Sequence, residues 1–249
     1  MTRLEVASIW AISDLHLSIG LAEEKRKPMD VFDSIWYNHE EKIEEAWRTV
    51  VKEEDAVLLA GDLFWGNTLE EAKAFFAWLA SLPGKKIMAR GNHDYWWEST
   101  QKVRAVLPEG IYALECDAIR LGNVTLFGSK GYSGEDMLGE AHKKKMVNRE
   151  ALRLERALKM DGPKEGERVV ETHYPPFEEG RLLDAYATLF ARYAVDRVVF
   201  GHLHGEEGRN FSVGEEISIK YDLISADYIA FSPKKIYNNN IKHDRRGND

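Results

Sequence analysis

The sequence predicts an α/β (α+β) fold in which two mixed β-sheets pack face to face with helices outside them, in one domain. Three observations carry this expectation. Short apolar runs stopped by glycine alternate with helix-period segments through the first hundred residues, as βαβα units require. A two-residue turn signal, Gly122-Asn123, then interrupts the alternation with a hairpin. The chain has 249 residues, 44% of them hydrophobic, which is enough to bury a substantial core.

The elements follow in order. Residues 6–12 are rich in β-formers and end at Ser13-Asp14. Residues 40–52 set Ile43, Ala46, Trp47 and Val50 on one helical face. Ala56-Val57-Leu58-Leu59-Ala60 is short and wholly apolar, the form of a strand buried on both faces. A helix over 69–82 stops before Pro83-Gly84, and a strand at Lys86-Ile87-Met88-Ala89 precedes a helix over 98–107. Residues 118–121 and 124–127 flank the hairpin turn, and Cys116 beside them reads as a small strand residue in the core. Residues 148–160 and 181–193 are helical, and 168–172 and 197–200 are strands. Residues 211–231 alternate as antiparallel strands do, and a polar tail covers 234–249. The domain is therefore expected to span 1–233. Two stretches, 20–39 and 129–147, show no element and are candidate substrate or lid loops.

Composition excludes several classes. No run approaches the roughly 20 apolar residues that span a bilayer, and the N-terminus lacks the apolar core of a signal peptide. One cysteine rules out an intrachain disulfide and a cysteine-based zinc site. These features predict a cytoplasmic protein. A formal charge of -8 disfavours a purely electrostatic nucleic-acid binder.

Five polar patches each follow a strand-like run: Asp14-Leu15-His16, Gly61-Asp62, Gly91-Asn92-His93-Asp94, His173, and Gly201-His202-Leu203-His204. Five of the eight histidines lie in them, more than packing explains. Ligands beyond the carboxyl ends of strands converge on one crevice. Asp14, His16, Asp62, Asn92, His173, His202 and His204 are too many for one ion with an open position, and they suit two ions if a carboxylate bridges. Imidazole, carboxylate and amide oxygens suit Mn²⁺, taken here as the first choice, or Fe, Zn or Ni. Such a pair can share a hydroxide nucleophile and cleave phosphate esters.

The ordered series D-x-H, G-D, G-N-H-D, H and G-H-x-H resembles the calcineurin-like metallophosphoesterase superfamily, over roughly the first four-fifths of the chain. The resemblance implies a four-layer α/β/β/α sandwich. It implies that Asp14, His16 and His204 bind one metal, that Asn92, His173 and His202 bind the second, and that Asp62 bridges. His93 would not ligate; it would face the leaving group as general acid or stabilise phosphoryl charge. The run Gly61-Asp62-Leu63-Phe64-Trp65-Gly66-Asn67 lacks the second Asp and the Arg of the protein Ser/Thr phosphatases, so that branch is not expected. The aromatics Tyr95-Trp96-Trp97 resemble small bacterial phosphoesterases of the superfamily. The acidic partner of His93 is not identified by this reading, and Asp94 is only adjacent.

Lys143, Lys144 and Lys145 are candidate contacts for an anionic substrate, although such a run is usually a solvated face. Trp96 and Trp97 read as core or lid packing, and His39, His142 and His243 carry no motif. The expected activity is hydrolysis of a phosphomonoester or phosphodiester. A nuclease or nucleotide pyrophosphatase on the same site is the alternative, with nucleic acid not favoured as partner. A non-catalytic scaffold on the same fold is the rival from another class.

Overall fold

A computed structural model describes residues 1–132, 139–161, 165–178, 180–212 and 219–239. The first half builds a five-stranded sheet. Strand β1 (Thr2–Leu4) leads into β2 (Ser8–Ile12), α1 (His39–Val50), β3 (Ala56–Ala60), α2 (Ala72–Ser81), β4 (Lys85–Ala89), α3 (Thr100–Arg104) and β5 (Ile111–Ala113). The second half supplies β6 (Asp117–Leu121), β7 (Val124–Ser129), α4 (Glu140–Leu158), β8 (Glu167–Thr172), β9 (Phe177–Glu178), β10 (Arg181–Leu182), α5 (Asp184–Arg192), β11 (Arg197–Phe200), α6 (Gly205–Asn210), β12 (Lys220–Leu223) and β13 (Lys234–Asn238).

One sheet has the order β13-β2-β3-β4-β5 and the other β1-β6-β7-β8-β11-β12; β9 and β10 form a separate pair. Strands β2 to β5 are mutually parallel, as are β7, β8, β11 and β12, so their carboxyl ends point one way within each sheet. The expected hairpin is present: β6 and β7 are antiparallel, with Leu121 opposite Val124.

The period-2 alternation of the strands divides the core into layers. Ile9, Ala11, Ala56, Leu58, Ala60 and Ile87 face Leu126, Val169 and Val199 of the second sheet. Ile12, Val57, Leu59 and Met88 point the opposite way, into Trp47, Phe75, Phe76 and Leu79 of α1 and α2. Phe127, Val170, Val198 and Phe200 point outward from the second sheet, against Leu154, Leu158, Leu189 and Phe190 of α4 and α5. The result is the four-layer α/β/β/α sandwich. Residues alternate between two buried faces, which is why the strands read as continuous apolar runs.

The structure differs from the sequence reading at several places, among them the unexpected short strands β5, β9 and β10 and helix α6. Residues 234–238 are not a frayed tail; they form edge strand β13, antiparallel to β2, with Ile236 buried. Residues 240–249 of the expected tail, His243 included, lie outside the described residues. Within the 129–147 loop, residues 133–138 also lie outside them, and α4 begins at Glu140, so His142 and Lys143–Lys145 are helical. This helix, expected over 148–160, starts eight residues earlier, and its first two turns escaped notice because they carry few apolar residues. Strand β12 is parallel to β11, not antiparallel, because a connection carries the chain back to the start of the sheet. Cys116 is no strand residue; it sits at φ 52° between β5 and β6, with Arg153 Nε donating to its sulfur at 3.2 Å. Strand β1 was not recognised, being three residues long.

Candidate metal centre

The seven ligand candidates sit in the loops leaving β2, β3, β4, β8 and β11, where the two sheets meet at one edge. Hydrogen bonds tie these loops together: Asp14 N–H donates to Gly61 O, His16 N–H to Asp62 O, and Gly201 N–H to His173 O. Four of the seven, Asp14, His16, Asp62 and His202, have left-handed backbones with φ of 56°, 47°, 53° and 72°. Each such conformation costs about 1–2 kcal/mol for a residue with a Cβ, and its concentration at one spot is typical of functional sites. Gly91 and Gly201 are required by close approach. A Cβ on Gly91 would lie 2.0 Å from Asp62 Oδ1, and one on Gly201 would lie 2.2 Å from Asp14 Oδ2.

The carboxylates are half-occupied by protein donors. Asp14 Oδ2 accepts from Ser13 Oγ at 2.5 Å, Ser225 Oγ at 3.1 Å and His202 N–H at 3.0 Å, which leaves Oδ1 toward His204. Burial alone would raise the Asp14 carboxyl, but the charge and hydrogen bond of His204 hold it well below the usual range. Asp62 Oδ1 accepts from His93 N–H at 2.8 Å, and Oδ2 lies 3.5 Å from His173 Nε2. Burial, then the neighbouring Asp14 charge, push Asp62 up to about 6.

Each histidine is prepared as a ligand. His173 Nδ1–H donates to Ala60 O at 2.9 Å, which leaves Nε2 bare, 2.7 Å from Asn92 Oδ1. Burial lowers its pKa to about 4, so the ring is neutral. Burial also drives His16 well below its ordinary value. His204 Nδ1 lies 2.8 Å from Asp227 Oδ1, and its Nε2 faces Asp14 Oδ1 at 3.2 Å. Burial opposes charge on His204, yet Asp14 and Asp227 together raise its pKa to about 10. The His202 ring packs 5.1 Å from that of His173.

These atoms fit metal ions. Ligand atoms of Asp14, His16 and His204 all lie within 4.8 Å of one another, and so do those of Asp14, Asp62 and His173. The outer atoms of Asp14, His173 and His204 are held by Ser13, Ser225, Ala60 and Asp227, which leaves their inner atoms facing one another, a donor set a cation completes. Asp14 is common to both groups, so it as well as Asp62 is placed between the two positions.

Asp94 does not serve His93. Its fully buried carboxylate accepts from the backbone N–H of Asp62, Leu63 and Gly91 at 2.9, 2.8 and 2.8 Å, and from Trp96 Nε1 at 3.1 Å. It clamps the β3 loop to the β4 loop. Burial, then the Asp62 charge, raise it to about 6. The side chain nearest to His93 Nδ1 by hydrogen-bond geometry is Tyr95, its hydroxyl at 3.5 Å. Trp96 and Trp97 are core residues, both essentially inaccessible.

The sequence reading missed Asp227, which orients His204 and also accepts from Gly205 N–H at 2.9 Å. Its signal was its place just after a strand end, like the ligands themselves, but a lone aspartate carries no motif. It also missed the aromatic wall: Trp65 stacks on His16 at 4.7 Å, and the buried Trp36 of residues 20–39 lies edge-on to His16 and His204. His39 is buried, with its ring nitrogens 3.1 Å from Trp36 O and 3.2 Å from His16 O. The three lysines are not among these groups. Lys143 pairs with Glu178, and Lys144 and Lys145 line a groove of about 900 Å³ with Arg149, Arg153 and Arg156.

Fold and site together define a four-layer sandwich with a candidate metal centre at the edge where its two sheets meet. A family model described as calcineurin-like phosphoesterase matches residues 7–206, and the chain belongs to that family. It is 32% identical over 89 residues to the "Gene 66 protein" of Mycobacterium phage L5, and 33% identical over 89 residues to that of phage D29. Each match covers 36% of this chain and 41% of the relative, so the chain spans less than half the length of these curated relatives. In architecture it is similar to the crystal structure of a protein of unknown function, AQ665, from Aquifex aeolicus. The TM-score is 0.52 at 18% identity, over 92% of this chain and 95% of that one. Among the described residues no helix is long and apolar enough to cross a membrane.

Proposed function

We propose that this chain hydrolyses phosphomonoesters or phosphodiesters at a dinuclear centre held by Asp14, His16, Asp62, Asn92, His173, His202 and His204. The observation that carries the reading is the pair of ligand groups sharing Asp14, whose outer oxygen is already hydrogen-bonded, as is Nδ1 of His173. Asp14, His16 and His204 are assigned to one ion, and Asn92, His173 and His202 to the other, with Asp62 between them. Bound there, two divalent ions supply Lewis-acid stabilisation of phosphoryl charge and activation of water. Mn²⁺ is the first ion to test, then Fe, Zn and Ni.

His93 stands on the leaving-group side in this assignment. Its backbone N–H is fixed by Asp62 Oδ1, and Trp65 packs 5.1 Å from its ring. Burial lowers its pKa. It is assigned to protonate the leaving oxygen as general acid or to stabilise phosphoryl charge.

The test is metal stoichiometry together with hydrolysis of p-nitrophenyl phosphate and bis-p-nitrophenyl phosphate in added Mn²⁺. Two ions per chain and turnover of either ester are expected. Two bound ions with no turnover would favour a scaffold, and one ion per chain would remove the dinuclear assignment. His93→Ala is expected to keep both ions and lose about 10²–10⁴-fold in rate.

A further inference from the structure

Residues 20–39 carry three consecutive cations, Lys25, Arg26 and Lys27. The first two are neutralised: Lys25 Nζ lies 2.6 Å from Glu71 Oε1, and Arg26 Nη2 lies 3.3 Å from Glu40 Oε2. Lys27 has no carboxylate partner among the described residues. Its ammonium instead sits 4.0 Å above the centroid of the Trp65 ring. Trp65 is the residue that stacks on His16 and packs against His93, so Lys27 is brought to the wall of the metal centre on the side of His93.

This placement is built. Lys27 N–H donates to Ser18 Oγ at 3.2 Å, and Ser18 N–H donates to Glu40 Oε1 at 2.5 Å. Pro28 restricts the next backbone angle, and Met29 is buried in the core. The indole under the ammonium is itself largely buried, so the cation has a fixed floor. Lys27 is exposed, so an arriving anion can reach its ammonium, and the indole beneath fixes where that charge stands. A lysine left without a carboxylate next to a centre for two divalent cations is disfavoured until an anion arrives. Carboxylates from outside this loop, Glu71 before α2 and Glu40 of α1, serve its two neighbours.

We propose that Lys27 is a specificity-determining residue that receives an anionic leaving group, so that this site acts on phosphoric anhydrides in preference to aryl or alkyl esters. The proposal rests on the phosphoesterase reading above. In the reaction the oxygen of water bonds to the attacked phosphorus, and the bridging P–O bond breaks. Its electron pair stays on the oxygen of the departing phosphate, and the proton released goes to solvent. A departing phosphate carries more than one negative charge, a departing p-nitrophenolate carries one, and an alkoxide needs a proton, so a nearby cation serves the phosphate most.

The experiment uses the full chain loaded with Mn²⁺. kcat and KM are measured for ADP and inorganic pyrophosphate, by phosphate release, and for p-nitrophenyl phosphate. They are measured in the wild type, in Lys27→Met, which keeps the stem over Trp65, and in Lys27→Arg. The wild type is expected to favour an anhydride in kcat/KM. Lys27→Met is expected to lose about tenfold or more on the anhydride, the scale of one charge-assisted contact. Its loss on p-nitrophenyl phosphate should be several-fold smaller, and Lys27→Arg should recover most of the anhydride rate. Metal content and melting temperature should match the wild type throughout. Preference of the wild type for p-nitrophenyl phosphate, or equal losses on both substrate classes, would overturn the assignment of Lys27 while leaving the phosphoesterase reading standing. Absence of turnover on every substrate with both ions bound would overturn both.

Discussion

Two aspartates outside the ligand set decide how well the ligands are held. Asp94 accepts four backbone N–H groups, of Asp62, Leu63, Phe64 and Gly91, and an indole N–H inside a fully buried pocket. Asp94→Ala orphans these donors, each worth about 1–3 kcal/mol when buried, and is expected to lower stability by at least about 2 kcal/mol in chemical denaturation. Asp227 acts through His204. Asp227→Asn is expected to weaken metal binding by about 10–100-fold, the scale of a lost outer-shell carboxylate, with the fold intact by circular dichroism. The pH dependence follows from the same groups. A proton and a metal compete for one lone pair, so affinity falls as pH drops through the Asp62 value of about 6. His204, raised to about 10, carries a proton at pH 7 in the metal-free protein and must release it. Calorimetry in buffers of different ionisation enthalpy should show release of about one proton per chain at pH 7, and less in Asp227→Asn.

Among the elements, β13 has the largest consequence for its size. It covers the free edge of β2, and β2 ends at Ser13-Asp14. Ile236 is buried beneath it, and Asn239 donates to Val6 O at 3.0 Å and accepts from Asn123 N–H at 3.0 Å. A chain ending after residue 233 is expected to melt at least about 5 °C lower, since burial of one large aliphatic side chain and a strand ladder is lost. A chain ending after residue 239 should melt with the full-length protein. Equal melting of the two truncations would show that β13 contributes nothing. Residues 20–39 work as the opposite kind of element, with three short 3-10 turns, Glu23–Lys25, Met29–Val31 and Ser34–Trp36, in place of a long helix. They deliver Trp36 to the metal centre and leave Phe32 and Tyr37 exposed.

At the scale of the molecule, the metal centre is the seam between the sheets. Asp14, after β2, is bonded by His202 N–H and Ser225, which follow β11 and β12 of the other sheet. His173, after β8, donates to Ala60 of β3. Ions held by ligands from both sheets bind the folded state alone. The melting temperature is therefore expected to rise with Mn²⁺ concentration as mass action requires, and chelation should reverse the rise. Hydrogen exchange should slow at the carboxyl ends of strands in both sheets when the ions are added. Slowing confined to one sheet would contradict the seam.

The five polar patches, the βαβα alternation and the Gly122-Asn123 hairpin were legible in the chain because each is local. A ligand beside a strand end, a run of five apolar residues and a two-residue turn need no knowledge of what packs against them. The sandwich faces were legible for the same reason, since period-2 alternation between two covered faces leaves an unbroken apolar run. What escaped was long-range. Asp94 looked like a neighbour of His93, yet its carboxylate points back to backbone groups more than two dozen residues earlier. Asp227 meets His204 across 23 residues, and β13 pairs with β2 from the other end of the chain. Residues 234–238 look polar because an edge strand buries few side chains, and its backbone pairing leaves no mark on composition. Local periodicity and the chemistry of side chains thus point to the family and to the candidate ligands. Which carboxylate steadies which ligand, and which cation lies beside His93, depends on loops from distant segments meeting at one edge.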